Sequence, residues 1–566
     1  TGRASDGAGY FSLRGFAVQP TMINGMPGLT NGSPDPANIE TIDVIKGPSG
    51  TLYGSSLISY GGLINLTTKR PHEGFAGNVS YTGGTYGLNR YTLDINTPLG
   101  KDKKVNARIN AAYHTENSFQ DAGFRKSLFV APSLSYKVNE KLSFFVNTEF
   151  YNGRSTNQTM LFLDRGSVLR VNNMDELGYD NKRSYTSNDL YMDTPSANIQ
   201  AQMNYKLSDQ WTSQTILSRS SAKSTGYYSY LYEGTSTVEG IAAATGLPYD
   251  GGIVFARYIT KQNSETFGTD IQQNFIGDFK IGNMRNRVVA GLDYFNRVIK
   301  SNNTGYANNG YIYIGNNLPQ FTAIATAAGL PNAAQGDDTG ILTQAGTDAI
   351  LAGSTATPSQ ASQEIFSAYA SDVLNFTPAL SAMVSLRIDR FSNDNGAQTA
   401  LSPKFGIVYQ PVLDKLSIFA NYLNGFVNTD PSENIALGGV STAVTFDPEH
   451  ANQLEFGTKV NFFNKKLIGS VSYYEIEVSD MVYTIYGAGT QTSIQGGAQK
   501  NKGIEFSVTA NPVQGLNIIA GYSYNDAVLT AGDPDFINHR PESAGPQNLA
   551  NLWASYKFNG GALNGF

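Results

Sequence analysis

Short segments in which apolar and polar side chains alternate recur along this chain from Phe75 onward. A period of two is the pattern of a β-strand that has one apolar and one polar face. In the segment KLSFFVNTEFY, the residues Leu142, Phe144 and Val146 share one face, and Glu149 lies on the other. A chain dominated by such segments is confined to all-β architectures.

The same alternation places Phe506 and Val508 opposite Glu505 late in the chain. About 18 such segments can be counted, each roughly ten residues long, which is the length of a tilted strand that crosses a bilayer. They lie near residues 75–83, 88–97, 103–114, 127–137, 141–151, 197–206, 210–221, 264–278, 284–299, 362–375, 379–391, 402–410, 415–425, 452–462, 466–478, 501–511, 515–525 and 547–558.

The connections between these segments fall into two classes. One class is short and rich in Gly, Pro, Asn and Asp, as tight turns require. The other class is mostly long and polar, and it covers residues 152–196, 222–263, 301–361, 427–451, 479–500 and 526–546. Short turns on one rim and long loops on the other are typical of outer-membrane barrels, and we expect Leu142 and Phe506 to face lipid while Glu149 and Glu505 face the lumen.

The composition agrees with a transmembrane barrel. No run of about 18 apolar residues occurs, which excludes ordinary transmembrane helices. Charged residues are only 15% of the chain, and the mean hydropathy is -0.27. The absence of Cys excludes disulfides and zinc–thiolate sites, and the net charge of -6 gives no footprint for nucleic acid.

Residues 1–74 have a different pattern, with short apolar segments broken by Gly and Pro. This pattern predicts a globular domain over 1–74 ahead of a barrel domain over 75–566. Because an open sheet edge inside lipid leaves unpaired backbone groups, we expect further barrel strands after Phe566.

Five stretches of the chain resemble TonB-dependent outer-membrane receptors. Ile39–Pro71 is similar to the signature of their plug domain, and Phe11–Phe16 resembles an earlier strand of that plug. Ser402–Phe426, Phe446–Val460 and Asn501–Pro512 resemble successive barrel segments of the siderophore receptors, with the ferrichrome-type receptors most similar.

The resemblance implies an all-β transmembrane barrel of 22 antiparallel strands, with an N-terminal globular plug in its lumen, in the outer membrane of a Gram-negative bacterium. It implies active import of a ferric siderophore by a monomer that contacts outer-membrane lipid. TonB, with ExbB and ExbD, would bind a box located before Thr1. The siderophore's own oxygens would hold the iron, so no cofactor and no protein metal ligand are expected.

Alternatives of other classes remain. Haem, cobalamin or an oligosaccharide could be the ligand of such an importer, and a passive porin is a further alternative that the globular segment 1–74 disfavours. Haem receptors typically carry a FRAP…NPNL stretch, whereas the comparable region here contains FDPEHANQLEFG with His450. No catalytic motif accompanies the four histidines, so an enzyme is not predicted.

Candidate ligand-binding residues are aromatic side chains of the long loops and the outward tip of the plug. Tyrosines offer apolar area and a hydroxyl to a bulky chelate, although an aromatic girdle at the membrane interface is the competing interpretation. The predicted ligand residues are Gln19, Pro20, Tyr228, Tyr230, Tyr232, Tyr306, Tyr311 and Tyr313, with the plug loops 18–20 and 29–35 facing outward.

An ionic contact between plug and barrel is predicted at four residues. Glu455 and Glu505 lie on the polar faces of their strands and therefore point into the lumen, where a carboxylate needs a partner. The plug offers Arg14 and Lys46, each just before a glycine. Ferrichrome-type receptors have an ionic cluster at positions that resemble these four, but Lys46 stands where an arginine is usual and lacks its bidentate fork.

Overall fold

A computed structural model describes residues 2–3, 9–28, 34–48, 59–164, 168–330, 341–393, 396–429, 431–487 and 490–561. Residues 29–33 of the predicted outward loop 29–35, and residues 49–58 of the plug-like stretch Ile39–Pro71, lie outside the described residues.

The N-terminal region forms two small sheets. One sheet has the order β1-β2-β3 and the other has the order β5-β4-β7-β6, in which β4 and β7 are parallel. Val18, Ile64 and Leu66 form a small apolar core between them. The strands are β1 (Gly2–Arg3), β2 (Gly9–Leu13), β3 (Phe16–Val18), β4 (Met22–Ile23), β5 (Met26–Pro27), β6 (Ile39–Lys46) and β7 (Gly62–Thr68), with a 3₁₀ turn at Pro36–Asn38.

Eighteen long strands follow within the described residues, and they roll into one antiparallel barrel in sequence order. They are β8 (Ala76–Gly83), β9 (Asn89–Leu99), β10 (Val105–Asn117), β11 (Phe124–Lys137), β12 (Leu142–Thr156), β15 (Ser196–Lys206), β16 (Trp211–Glu233), β17 (Ile253–Ile281), β18 (Met284–Ser301), β20 (Ser359–Thr377), β21 (Leu380–Asn393), β22 (Gly396–Val412), β23 (Leu416–Val427), β26 (Glu449–Phe462), β27 (Leu467–Gly487), β28 (Thr490–Ala510), β29 (Leu516–Ala531) and β30 (Asn548–Tyr556).

The long connections contain shorter elements. These are strands β13 (Met160–Phe162), β14 (Tyr191–Asp193), β19 (Ala307–Ile314), β24 (Ser432–Ile435) and β25 (Ser441–Val444), and helices α1 (Met174–Leu177), α2 (Thr235–Thr245), α3 (Leu318–Ala327) and α4 (Gln344–Leu351). Among the helices of the described residues, none has the length and apolar character needed to cross a membrane.

The strand register follows the predicted alternation. Phe144 is 37% exposed and Phe506 is 42% exposed on the outer face of the barrel. The neighbouring Asn147 is fully buried, and Glu149 accepts a hydrogen bond from Asn38 of the N-terminal domain at 2.8 Å. The expected lipid and lumen faces are therefore confirmed, because residues of opposite parity meet opposite surroundings.

The predicted loops over 222–263 and 479–500 are wrong. β27 continues to Gly487 and β28 begins at Thr490, so most of the second predicted loop is strand. β16 continues to Glu233 and β17 begins at Ile253, and their register is unbroken from end to end. A bilayer crossing takes roughly 9–11 residues of a tilted strand, so the far half of the 23-residue β16 lies above the membrane. Alternation disappears there because both faces are covered, and β13 and β19 extend the pair into a four-stranded sheet, here called the outer sheet.

Candidate functional site

A two-residue hairpin turn carries Arg14 to the barrel wall. Leu13 pairs with Phe16, and the two turn residues Arg14 and Gly15 have φ values of 51° and 87°. Positive φ at both positions matches a type I′ turn, which suits the twist of a short hairpin. The Nδ2 atom of Asn501 donates to the carbonyl oxygen of Arg14 at 2.6 Å, so the barrel also holds the turn by its backbone.

The Arg14 guanidinium bridges two barrel strands. Its Nη2 atom lies 2.9 Å from Glu455 Oε1 and 2.8 Å from Glu505 Oε2. Its Nη1 atom donates to Gln453 Oε1 at 3.0 Å, and the guanidinium lies 4.3 Å from the centre of the Tyr474 ring. The side chain is almost fully buried, so these contacts replace its hydration.

Lys46 supplies a second cation to the same carboxylate. Its Nζ atom lies 2.9 Å from Glu505 Oε2, and its side chain is 43% exposed. The structure therefore brings together all four residues of the predicted ionic contact. Burial alone would lower the pKa of Arg14, but hydrogen bonds and charge from Glu505 and Glu455 outweigh burial and raise that pKa, so the guanidinium stays charged.

A different part of the wall holds the same domain through two further ion pairs, and in the pair of Asp35 with Arg90 the charges are reversed. Arg90 on β9 donates to both carboxylate oxygens of Asp35 at 2.6 and 3.1 Å. Asp35 also caps the 3₁₀ turn by accepting from the backbone N–H of Ala37. Lys69 lies 3.0 Å from Asp94 of the barrel. The sequence did not predict these pairs, because the partners of Asp35 and Lys69 lie on strands whose register with the plug has no local signal.

Three of the predicted tyrosines meet in one aromatic cluster at the base of the outer sheet. Tyr230 is its centre, with ring centroids 5.3 Å from Tyr306, 5.4 Å from Tyr258 and 6.3 Å from Tyr228. Phe162 of β13 completes the cluster at 5.6 Å from Tyr230. Tyr306 is 51% exposed, whereas Tyr228 is buried.

The aromatic cluster continues the lumen-facing side of the barrel. On β16 the buried lumen-facing residues are even-numbered, as Ser218, Ser220 and Ser224 show. Tyr228 and Tyr230 have the same parity, and no register shift interrupts the ladder between them. The cluster therefore lies above the lumen, on the outer side of the barrel.

The expected exposure of Tyr311 and Tyr313 is wrong. Both side chains are buried in an apolar core under helices α2 and α3. The Tyr313 ring stacks on Phe321 with centroids 5.3 Å apart and an interplanar angle of 7°. Tyr232 is half-buried, and its hydroxyl donates to Asp164 at 3.4 Å. These three tyrosines lie farther from the membrane along the outer sheet than the aromatic cluster does.

The plug tip offers one of its two predicted residues to solvent. Gln19 is exposed, and its carbonyl oxygen accepts from the backbone N–H of Thr21 at 2.9 Å. Pro20 is buried and does not present its side chain to a ligand.

Comparison with protein families decides which proteins this arrangement belongs to. The model of the TonB-dependent receptor-like β-barrel matches residues 135–566, and that of the TonB-dependent receptor plug domain matches residues 1–59. The chain belongs to the TonB-dependent receptor family. The N-terminal domain is accordingly its plug, and the protein is a transport receptor of the Gram-negative outer membrane rather than an enzyme.

Individual relatives of this TonB-dependent receptor are distant. It is 23% identical over 556 residues to the metal-pseudopaline receptor CntO of Pseudomonas aeruginosa, covering 94% of this chain and 70% of that protein. It is also 23% identical over 591 residues to the ferrichrome outer membrane transporter/phage receptor of Escherichia coli K12, covering 99% and 73%. The crystal structure of BauA, the ferric preacinetobactin receptor from Acinetobacter baumannii, has a TM-score of 0.79 at 18% identity, covering 99% and 78%.

Sequence reasoning missed several residues of this receptor's sites. Tyr258 and Phe162 join the aromatic cluster, and Gln453 and Tyr474 complete the Arg14 contact. The run IVFARYIT around Tyr258 carried a usable signal, because its β-branched and aromatic residues favour a strand over a loop.

Proposed function

We propose that this receptor binds a ferric siderophore above its plug and imports it actively. The observation that carries the proposal is the aromatic cluster around Tyr230, which lies over the lumen while the plug is seated beneath it. Aromatic rings with a hydroxyl suit a bulky organic chelate that presents both apolar and polar surface.

The names of the relatives support this ligand class. They are receptors for metal-pseudopaline, ferrichrome, ferripyoverdine and catecholate siderophores, and each of these ligands is a siderophore or a metal chelate. The chelate's own oxygens hold ferric iron as a hard cation, so the receptor recognises the organic shell. The metal is cargo.

Energy for uphill import comes from outside the outer membrane. TonB, with ExbB and ExbD, pairs a strand with an N-terminal segment of the receptor and pulls on it. The hairpin at Arg14 seats the plug through contacts to side chains, which separate without breaking a barrel ladder. The receptor is surrounded by outer-membrane lipid, since its outer face carries the apolar residues that lipid requires, and it works as a monomer.

Binding by the purified full-length receptor tests the proposal. The panel consists of ferric hydroxamate and catecholate siderophores, haem, cobalamin and a maltooligosaccharide, measured by intrinsic fluorescence quenching. We expect saturable binding of at least one ferric siderophore. Tyr230→Ala should weaken this binding about tenfold because it removes the apolar contact of the ring, and Tyr230→Phe should weaken it less because the ring stays. Binding of haem or glycan alone would reject the proposal.

A second candidate is a chelate of a metal other than iron. The relation to the metal-pseudopaline receptor favours including it. The same siderophore panel loaded with Zn²⁺ or Ni²⁺ distinguishes the two, since a receptor for such chelates would prefer those complexes over the ferric ones.

A further inference from the structure

The two rims of the barrel differ strongly in charge. The long connections of the outer rim, together with its shorter ones, contain nineteen acidic and five basic residues, whereas the short turns of the opposite rim contain four acidic and seven basic ones. The outer connections are residues 84–88, 118–123, 157–195, 234–252, 302–358, 394–395, 428–448, 488–489 and 532–547. A ligand that approaches from outside therefore enters a negative field.

Two basic side chains of the described outer region form ion pairs with neighbouring acids. Arg170 lies 3.2 Å from Glu233 and 2.8 Å from Glu239. Lys261 lies 2.9 Å from Asp348. These pairs tie α2 and α4 to the outer sheet, and they reduce the attraction that these two cations would exert on an anionic ligand.

The residues that face Tyr228 and Gly226 across the β16–β17 ladder are neutral. Thr260 and Gln262 have the lumen-facing parity on β17, directly across from Tyr228 and Gly226. Burial raises the pKa of Tyr228 to about 12, so its hydroxyl is uncharged at neutral pH. Aromatic ring faces attract cations and repel anions, because their quadrupole is negative on the face.

We propose that the vestibule, meaning the acidic outer rim together with the aromatic cluster around Tyr230, selects ferric chelates whose net charge is zero or positive, as in hydroxamate siderophores, and rejects strongly anionic ones. Three hydroxamate groups together balance the charge of ferric iron, whereas three catecholate groups leave a strongly negative complex. The acidic rim repels the latter, and the aromatic cluster provides no cation to compensate. This inference rests on the proposed function and narrows its substrate class; the relatives do not decide it, since both ferrichrome and catecholate receptors are among them.

A charge-matched set of ferric complexes tests the inference on the purified full-length receptor. The probes are a linear ferric tris-hydroxamate with a free amine, the same compound with its amine acetylated, and a ferric tris-catecholate. We expect both hydroxamates to bind at least about tenfold tighter than the catecholate. Raising the salt concentration should weaken only the cationic probe, since screening acts on its net charge.

A charge-reversed variant gives an independent check. Glu433→Lys combined with Asp447→Lys changes the outer rim, and Glu140→Lys changes an exposed turn of the opposite rim as a control. The outer variant should raise the association rate of the catecholate about two- to threefold, and the control should leave it unchanged. Tightest binding of the catecholate by the unmodified receptor overturns the inference alone. Failure of all three ferric complexes to bind overturns the proposed function as well.

Discussion

Two regions of the molecule, the plug contact at Arg14 and the outer sheet, are stabilised by different kinds of interaction. Arg14 meets the barrel through charged and polar groups, with Glu455, Glu505 and Gln453 around one guanidinium. The outer sheet is covered by apolar side chains on both faces, with separate cores around Phe321 and Phe255. Polar contacts can be exchanged for water when the two parts separate, whereas an apolar core loses its stabilisation on exposure.

The difference assigns a mechanical role to each region. Under the proposed mechanism, the plug moves and is seated by hydrogen bonds and ion pairs, whereas the outer sheet keeps its shape and is packed like the core of a small domain. This contrast would be wrong if loss of the plug contact left the plug in place, or if the outer sheet unfolded locally as easily as a flexible loop. Four substitutions address it, from the largest expected effect to the smallest.

Arg14→Ala should loosen the plug most. It leaves the carboxylates of Glu455 and Glu505 without their main partner, and removing one member of a buried ion pair costs about 3–5 kcal/mol. We expect greater leakage of small solutes through receptor reconstituted in liposomes, with ligand affinity little changed. Arg14→Lys keeps the charge and serves as the matched control. A variant as tight as the parent receptor would remove the seating role of Arg14.

Phe321→Ala should soften the outer sheet and leave the plug seated. Phe321 is fully buried and stacks on Tyr313, and loss of a buried aromatic ring costs about 3 kcal/mol. Hydrogen exchange should speed up in β19 and α3 while the barrel strands stay protected. Phe536→Ala removes an exposed ring from another outer loop and should change neither region. Equal exchange in both variants would show that the outer sheet has no cooperative core.

Gly15→Ala should weaken the plug contact moderately. A Cβ atom there would lie 2.3 Å from Asn501 Nδ2, and a φ of 87° is itself unfavourable for alanine by about 1–2 kcal/mol. Gly251→Ala is the control, since Gly251 has a φ of 80° and open space around it. The excess solute leakage of the Gly15 variant over the control measures how closely the turn fits the wall; no excess would mean that the turn has room to shift.

Asp348→Asn should have the smallest effect, below about 1 kcal/mol, because its pair with Lys261 is half-exposed. Burial alone would raise the pKa of Asp348, but hydrogen bonds from Lys261 and Tyr227 outweigh burial and lower that pKa. The contribution is therefore present at neutral pH and lost as the pH falls through the lowered pKa, below about 3.8. Hydrogen exchange in α4 measures it, and insensitivity to both salt and acid would exclude an electrostatic contribution.

The alternating strands and the residues of the Arg14 contact could be predicted from the sequence, for two different reasons. Strands such as β12 have one face toward lipid and the other toward the lumen. Apolar and polar side chains must therefore alternate along them, and this alternation can be recognised in the sequence. The alternation placed Glu505 in the lumen, and the resemblance to ferrichrome-type receptors suggested that the distant residue Arg14 is its partner.

The outer sheet could not be predicted in the same way. Side chains on both faces of the YYSYLY segment are buried or half-buried. The alternation of apolar and polar residues that indicates a strand is therefore lost where the strand leaves the membrane. The long connection after β18 looked like an exposed loop because the partners of its core residues, such as Val238 and Val254, come from separate segments of the chain. Tertiary packing alone decides that Tyr313 is buried and Tyr306 is exposed.

The reversed charges at the two attachment points also bear on how the receptor is assembled. The plug presents Arg14 to barrel carboxylates at one place and Asp35 to the barrel cation Arg90 at another. A plug rotated about the barrel axis would leave Glu455 and Glu505 without Arg14, and Arg90 without Asp35. Removing one partner of a buried ion pair costs about 3–5 kcal/mol. The pairs therefore favour a single rotational orientation of the plug inside the barrel.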